Sequence, residues 1–265
     1  MKIKIVFIIF MFICLEGAWA EPVKMPHLPK FTRVKIEAID QETGNRLWNE
    51  THTYRIGTDK TKTFLLVNIE GSGRFGGAEE ETKWKVDSYY YADPYIKPYS
   101  SRKEIFSSSG SLLIVETFNY DAVAKTIYFS REDKITKDTY FKTFELKDDV
   151  IDRSVLPIAL LSYPFSEQRD FTFRYLSDDP RMYKFTMSYA GKEAVKVPTG
   201  TFDCNKLELT VNLGALKIFG ILLPDIYYWF SDTQPVKFVK YEGLESGYGS
   251  PYVTIQLIDK PEERD

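Results

Sequence analysis

Few residues in this chain are of types that do chemistry. There are two histidines, His27 and His52, and two cysteines, Cys14 and Cys204. Cys14 falls in the first twenty residues, read below as a signal peptide, and the three that remain are one short of the four ligands of a structural Cys/His zinc site. Nucleophilic catalysis needs a base and an orienting group held close by. Gly71-Ser72-Gly73 lacks the Gly-x-Ser-x-Gly elbow. His52 alternates with Thr51 and Thr53, which reads as a surface or edge position on a strand. Nothing supports a Cys204–His52 dyad. His27 lies in a proline-rich stretch and reads as exposed, while Cys204 reads as a small buried hydrophobe. Carboxylates are plentiful, and two facing acids could hydrolyse a glycan. However, Glu79-Glu80-Glu81 reads as a solvated loop, and Asp178-Asp179 and Asp203 read as turn acids that bond their own backbone. No Asp-x-Asp-x-Asp-Gly calcium loop occurs. The glycines between Gly71 and Gly77 have no helix after them, unlike a phosphate cradle. No catalytic, cofactor-binding or metal-ligating residue is assigned.

Binding is better represented than catalysis. Aromatics cluster at Tyr89-Tyr90-Tyr91 and at Tyr227-Tyr228-Trp229-Phe230. Alternate strand residues face opposite sides, so Tyr228 and Phe230 share one face while Tyr227 and Trp229 share the other. Either both faces are covered, as in a core strand, or one is a concave face for an apolar or sugar-like ligand. Residues 213–223 are unusually apolar for a segment flanked by strands. Three placements fit them: a lid on the sheet's cavity, a contact with lipid or a partner, or an ordinary strand pair. The expected ligand-binding residues are Leu213, Leu216, Ile218, Phe219, Ile221, Leu222, Tyr228 and Phe230.

The elements that would position these residues read mostly at period two. Val34, Ile36 and Ala38 alternate with Arg33, Lys35 and Glu37, as a half-buried strand requires. Phe64 to Ile69, Leu112 to Asn119, Thr126 to Ser130, Tyr183 to Tyr189, Lys206 to Val211 and Tyr252 to Leu257 continue the series. They are rich in Tyr, Phe, Thr and Val, which suit a pleated sheet. Glu42 to Asn45, Asp178-Asp179-Pro180, Ala190-Gly191-Lys192 and Pro198-Thr199-Gly200 read as turns or corners. One segment departs from alternation. Val155, Leu156, Ala159 and Leu160 recur at helical spacing after an acidic start, predicting one short helix over about 149–161 capped by Asp148 or Asp149. Pro157 requires that this helix start near Pro157 or be kinked. The fold class is therefore mostly β: a large curved antiparallel sheet or open barrel with one short helix.

The first twenty residues read as a secretory signal peptide. Lys2 and Lys4 precede an apolar run to Leu15, and Ala18-Trp19-Ala20 is a cleavage site. Ile13 before Cys14 is not the small residue of a lipobox. Residues 21–30 form an extended lead-in, 31–259 a single all-β domain and 260–265 a charged tail expected to fray. The chain carries 35 basic and 38 acidic residues, a formal charge of −3. Removing the signal takes two lysines and one glutamate and leaves −4, with no basic field for nucleic acid. A soluble periplasmic or secreted protein is expected, not integral to a membrane once the signal is gone. Cys204 is then a lone thiol, so no internal disulfide forms.

The most distinctive string is Val197-Pro198-Thr199-Gly200-Thr201-Phe202-Asp203-Cys204-Asn205-Lys206-Leu207-Glu208. It is followed by Tyr227-Tyr228-Trp229-Phe230-Ser231-Asp232 and then Pro235-Val236-Lys237. With Val86-Asp87-Ser88-Tyr89 and the Val150-Ile151-Asp152 opening, this order resembles an exported bacterial family, domain of unknown function 3108. The resemblance spans about residues 30 to 259 and is densest at structural turns. It implies a plan similar to the periplasmic lipoprotein carriers (LolA/LolB-like), a strongly curved sheet wrapped on a helix. It implies no catalytic residues and no cofactor. The favoured expectation is a non-catalytic binder of an apolar or amphiphilic ligand, such as a lipid or lipoprotein tail. The alternatives are an envelope interaction or assembly factor and, less favoured, a carboxylate-based glycan hydrolase.

Overall fold

The computed structural model describes residues 22–59, 61–75, 80–178, 180–212, 224–246 and 249–264. Alternating side chains and short polar turns first build a long run of hairpins. These are β1 (Phe31–Asp40), β2 (Arg46–Asp59), β3 (Lys62–Gly73) and β4 (Thr82–Ala92), then β5 (Ile96–Ser107), β6 (Leu112–Asp121), β7 (Thr126–Asp133) and β8 (Thr139–Glu145). A short β9 (Val150–Asp152) and helix α1 (Leu156–Leu160) follow. The second run is β10 (Phe171–Leu176), β11 (Met182–Val197), β12 (Gly200–Val211), β13 (Tyr227–Ser231), β14 (Phe238–Leu244) and β15 (Tyr252–Leu257). The chain closes on β16 (Glu262–Arg264). Aspartates build several of the turns. Asp40 Oδ1 accepts the amides of Glu42 and Thr43 at 2.9 and 2.8 Å, and Asp121 and Asp133 do the same for the two residues beyond their own neighbours.

Among the described residues, sixteen strands join one sheet in the order β8-β7-β6-β5-β4-β3-β2-β1-β15-β14-β13-β12-β11-β10-β9, with β16 beside β1. The pairs are antiparallel except β9 with β10. Two meanders are thus joined where β1 meets β15. This order forces curvature. Fifteen strands laid flat would place β8 and β9 on the order of 65 Å apart. Yet only residues 146–149 connect them, and five residue steps reach roughly 18 Å at most. The sheet must therefore roll until its two ends approach. No β8–β9 ladder forms among the described residues, so the roll is an open sheet and not a closed barrel.

Side chains close what the backbone leaves open. Asp152 on β9 accepts the Tyr90 hydroxyl from β4 at 2.6 Å and the Tyr120 hydroxyl from β6 at 2.9 Å. Val150 and Leu176 pack with Tyr120 and Ile127. Arg174 pairs with the buried Asp149, and Lys142 on β8 donates to the Pro180 carbonyl at 2.9 Å.

The helix start near Pro157 holds, and four other local expectations are corrected. The helix begins at Leu156, with Pro157 in its first turn where a missing N–H costs nothing. Residues 150–152, expected inside the helix, form β9. Asp148 and Asp149 do not cap the helix. Instead, Asp152 receives the Ser154 and Val155 amides at 3.1 and 3.4 Å. Ala190-Gly191-Lys192 is no corner: β11 runs through it with a bulge at Gly191, whose φ of 114° suits glycine. The charged tail does not fray where Glu262–Arg264 pair with Phe31–Arg33. Pro198-Thr199-Gly200 is a hairpin turn, as its residues predict.

Candidate functional site

The rolled sheet does not fill its own interior. A cavity of about 470 Å³ lies on the concave side. Its wall is mainly apolar: Val34 and Ile36 from β1, Phe185 from β11, Leu209 from β12, Tyr228 from β13 and Ile255 from β15. Leu156 and Ile158 of α1 line it as well. On β2 the lining runs from Trp48 through Glu50 and His52 to Tyr54. Six residue steps of strand are roughly 20 Å, so the hollow is long.

Those four β2 residues alternate with Asn49, Thr51 and Thr53, so the pleat turns them all inward. Glu50 and His52 are buried, with 3% and 6% of their surface exposed. His52 Nε2 stands 2.8 Å from Glu50 Oε2, and Nδ1 stands 3.0 Å from the Tyr54 hydroxyl. The Trp84 indole N–H donates to Glu50 Oε1 at 2.8 Å, and Arg153 Nη2 donates to the same oxygen at 3.2 Å. Trp84 sits two strands away and reaches Glu50 by crossing Gly71 on β3. The three residues are in register, and a Cβ on Gly71 would lie 2.2 Å from Trp84 Cε2. Glycine is required there by close approach, not by φ.

Arg153 bridges two carboxylates. Its Nη1 donates to Asp178 Oδ2 at 2.8 Å, which also takes Lys103 Nζ at 3.0 Å. The guanidinium lies 4.2 Å from the Phe75 ring centre, a cation–π contact in an aromatic group with Trp48 and Trp84. Burial pushes the Glu50 carboxyl up, but Arg153, His52 and Trp84 outweigh it and hold the group at about 2. Burial likewise opposes ionisation of Asp178, and Lys103 and Arg153 hold that carboxyl well below its usual range. Burial raises the Tyr54 hydroxyl, and the Glu50 charge raises it further, so Tyr54 stays protonated.

This arrangement corrects two readings. His52 is interior, not at a surface or edge. Among the described residues, Asp178 anchors Arg153 and Lys103. Sequence reasoning also missed Glu50, Tyr54 and Arg153. The available signal was the single-face spacing Trp48-Glu50-His52-Tyr54. Of the expected binding residues, Tyr228 lines the cavity and packs on Tyr241 with ring centres 4.8 Å apart. Phe230 faces the same way but is fully buried against Phe165 and Phe238 and does not line the hollow. Trp229, on the opposite face, joins a second cluster with Val195, Val197 and Cys204. Both faces of β13 are therefore covered. Leu213, Leu216, Ile218, Phe219, Ile221 and Leu222 lie outside the described residues. Val211 and Pro224, which flank that segment, both line the cavity. Cys204 is buried, and burial pushes its thiol up to about 12, as a small hydrophobe and not a nucleophile.

A rolled open sheet with an apolar hollow and an ion-paired wall defines the class. The chain belongs to the family described as "Protein of unknown function (DUF3108)", whose pattern matches residues 49–256. Among solved structures, it is similar to a Bacteroides fragilis protein described as exported with a YmcC-like fold. That likeness has 9% identity and a TM-score of 0.35, covering 91% of this chain and 100% of the other. A Parabacteroides distasonis protein described as a lipoprotein is similar at 10% identity and a TM-score of 0.31, covering 90% and 99%. No curated protein matches the sequence. Among the described residues, no helix is long and apolar enough to cross a membrane.

Proposed function

We propose that this protein is exported and binds an apolar or amphiphilic ligand without transforming it. The observation that carries the reading is the long cavity of about 470 Å³. That volume lies within the roughly 300–1,000 Å³ of small-molecule sites. Its apolar wall supplies the drive, about 25 cal/mol for each Å² of ligand surface removed from water. Export is supported by the basic, apolar and small-residue pattern of residues 1–20. The wall groups argue against chemistry. Glu50 is held ionised between Arg153 and His52, and the Tyr54 phenol is pushed up and away from nucleophilic character.

The test has two arms. Native mass spectrometry of protein purified from its own cells is expected to find a co-purifying apolar molecule. The neutral dye N-phenyl-1-naphthylamine is expected to bind with enhanced fluorescence. Ile255→Trp, which fills the hollow from β15, is expected to weaken that binding about tenfold, the loss of roughly 1.4 kcal/mol of contact. Unchanged dye affinity in a folded Ile255→Trp variant overturns the reading.

A further inference from the structure

The chemistry of the ligand's polar end can be read from what the cavity wall leaves unsatisfied. The charged groups on the wall already have partners. Glu50 holds Arg153, and Lys237 holds Glu263 at 3.2 Å. Glu245 accepts the Trp48 indole N–H at 2.6 Å, and Arg181 is not without a partner. A ligand charge of either sign would lose its hydration and compete with partners already in place, which is costly in an apolar site.

Neutral hydroxyls are what remain. Thr32 is 7% exposed, lines the cavity, and its Oγ1 is buried with no hydrogen-bond partner. A buried hydroxyl left unpaired is destabilising, so this position suits a ligand. Tyr54 stands directly opposite Thr32 in the β1–β2 ladder, on the same face. The ionised Glu50 accepts the His52 Nε2–H. In the neutral imidazole, Nδ1 then accepts the Tyr54 O–H. With Nδ1 as the acceptor, the Tyr54 proton is committed to His52, and the phenol oxygen offers lone pairs to the hollow. Tyr175 and Tyr228 add two more hydroxyls, which burial keeps protonated.

We propose that the cavity selects an uncharged amphiphile whose head carries free hydroxyls, with Tyr54 accepting from a ligand hydroxyl and Thr32 donating to the head. The inference rests on the apolar-ligand reading above and gives that ligand's class. An ester oxygen alone can use only donors. A carboxylate or a quaternary ammonium must displace partners that the wall charges already hold.

The test is displacement of N-phenyl-1-naphthylamine, at pH 8, by four molecules sharing one twelve-carbon chain length: 1-lauroylglycerol, methyl laurate, laurate and dodecyltrimethylammonium. 1-Lauroylglycerol is expected to bind about tenfold more tightly than methyl laurate, the effect of about two net hydrogen bonds, and to exceed both ions by at least as much. The ratio of 1-lauroylglycerol to methyl laurate is expected to fall about threefold in Tyr54→Phe and in Thr32→Val, and to near one in the double variant. Thr32→Val removes an unpaired buried hydroxyl, so it is expected to keep the fold, checked by circular dichroism and the urea midpoint. Equal binding of the glyceride and its methyl ester, tighter binding of either ion, or a ratio that survives in the double variant overturns the hydroxyl assignment while leaving the apolar cavity in place. Displacement by none of the four overturns the cavity reading and the assignment with it.

Discussion

Two buried carboxylates sit in different parts of the roll and behave oppositely. Glu50 lies on the wall of the hollow, and Asp152 lies in the seam where β9 meets β4 and β6. Burial raises both. At Glu50 the Arg153 guanidinium is in contact, so the balance falls below the ordinary value. At Asp152 the partners are two phenols and two backbone amides, all neutral, and burial wins despite four hydrogen bonds. A counter-cation, not the number of donors, decides the sign. The seam can therefore be sealed by neutral hydrogen bonds and oily packing, while the hollow has its charge tied off by ion pairs. Between them, Glu50, Arg153, Asp152 and Asp178 border a void of about 30 Å³, room enough for a bound water.

The largest effect that would break this contrast is removal of its cation. Arg153→Met leaves Glu50 and Asp178 buried without that partner and is expected to cost about 4 kcal/mol in urea unfolding. A loss below about 1 kcal/mol would mean that the pair is not desolvated. Acid gives the next effect. The folded value of Glu50 lies below its ordinary 4.5, so its stabilisation is fully present above that pH and is lost as pH falls toward about 2. The expected loss from this group is about 3 kcal/mol, and Asp178 acts in the same direction. Asp152 has the opposite sign: its raised value favours the fold most at low pH, and that contribution is lost as pH rises through its folded value. A urea-midpoint series from pH 6 to pH 2 should fall steeply in the native chain and more gently in Arg153→Met. Parallel slopes would contradict the pairing.

Gly71→Ala sharpens the contrast at the aromatic bridge. The new methyl would force the Trp84 indole off Glu50, with an expected cost of about 2 kcal/mol, within the range for overpacking. Retained stability together with unshifted Trp84 indole N–H resonance would place the indole elsewhere. The smallest effect belongs to the seam. Asp152→Asn keeps an acceptor for one phenol and loses the acceptor of the other, so a loss of about 1 kcal/mol is expected at pH 7. A loss as large as that of Arg153→Met would erase the difference between the two regions.

The strands were legible because alternation and turn chemistry are local. Val34, Ile36 and Ala38 announce β1 without help from any other segment, and Pro198-Thr199-Gly200 announces its hairpin. The wall of the hollow was not legible for a related reason. Strand β2 carries polar residues on both faces, so Thr51 and Thr53 disguise His52 as a surface residue. The residues that make its burial tolerable are remote: Arg153 lies 103 positions beyond Glu50, and Trp84 lies 34 beyond it. Asp178 was misread because an aspartate before Asp179-Pro180 fits a turn equally well. Tyr228 was found through its face, and Phe230 shares that face without reaching the hollow.

The chain by itself determined that a sheet would form, where most of its turns would fall and that Tyr228 would share a face with Phe230, since each follows from neighbours one or two residues apart. Only the tertiary structure decided that the two ends of the sheet approach each other, that a hollow persists between the meanders, and that Glu50 and His52 face it. Whether a charge can be buried depends on partners delivered by distant strands, and those partners exist only once the sheet has rolled.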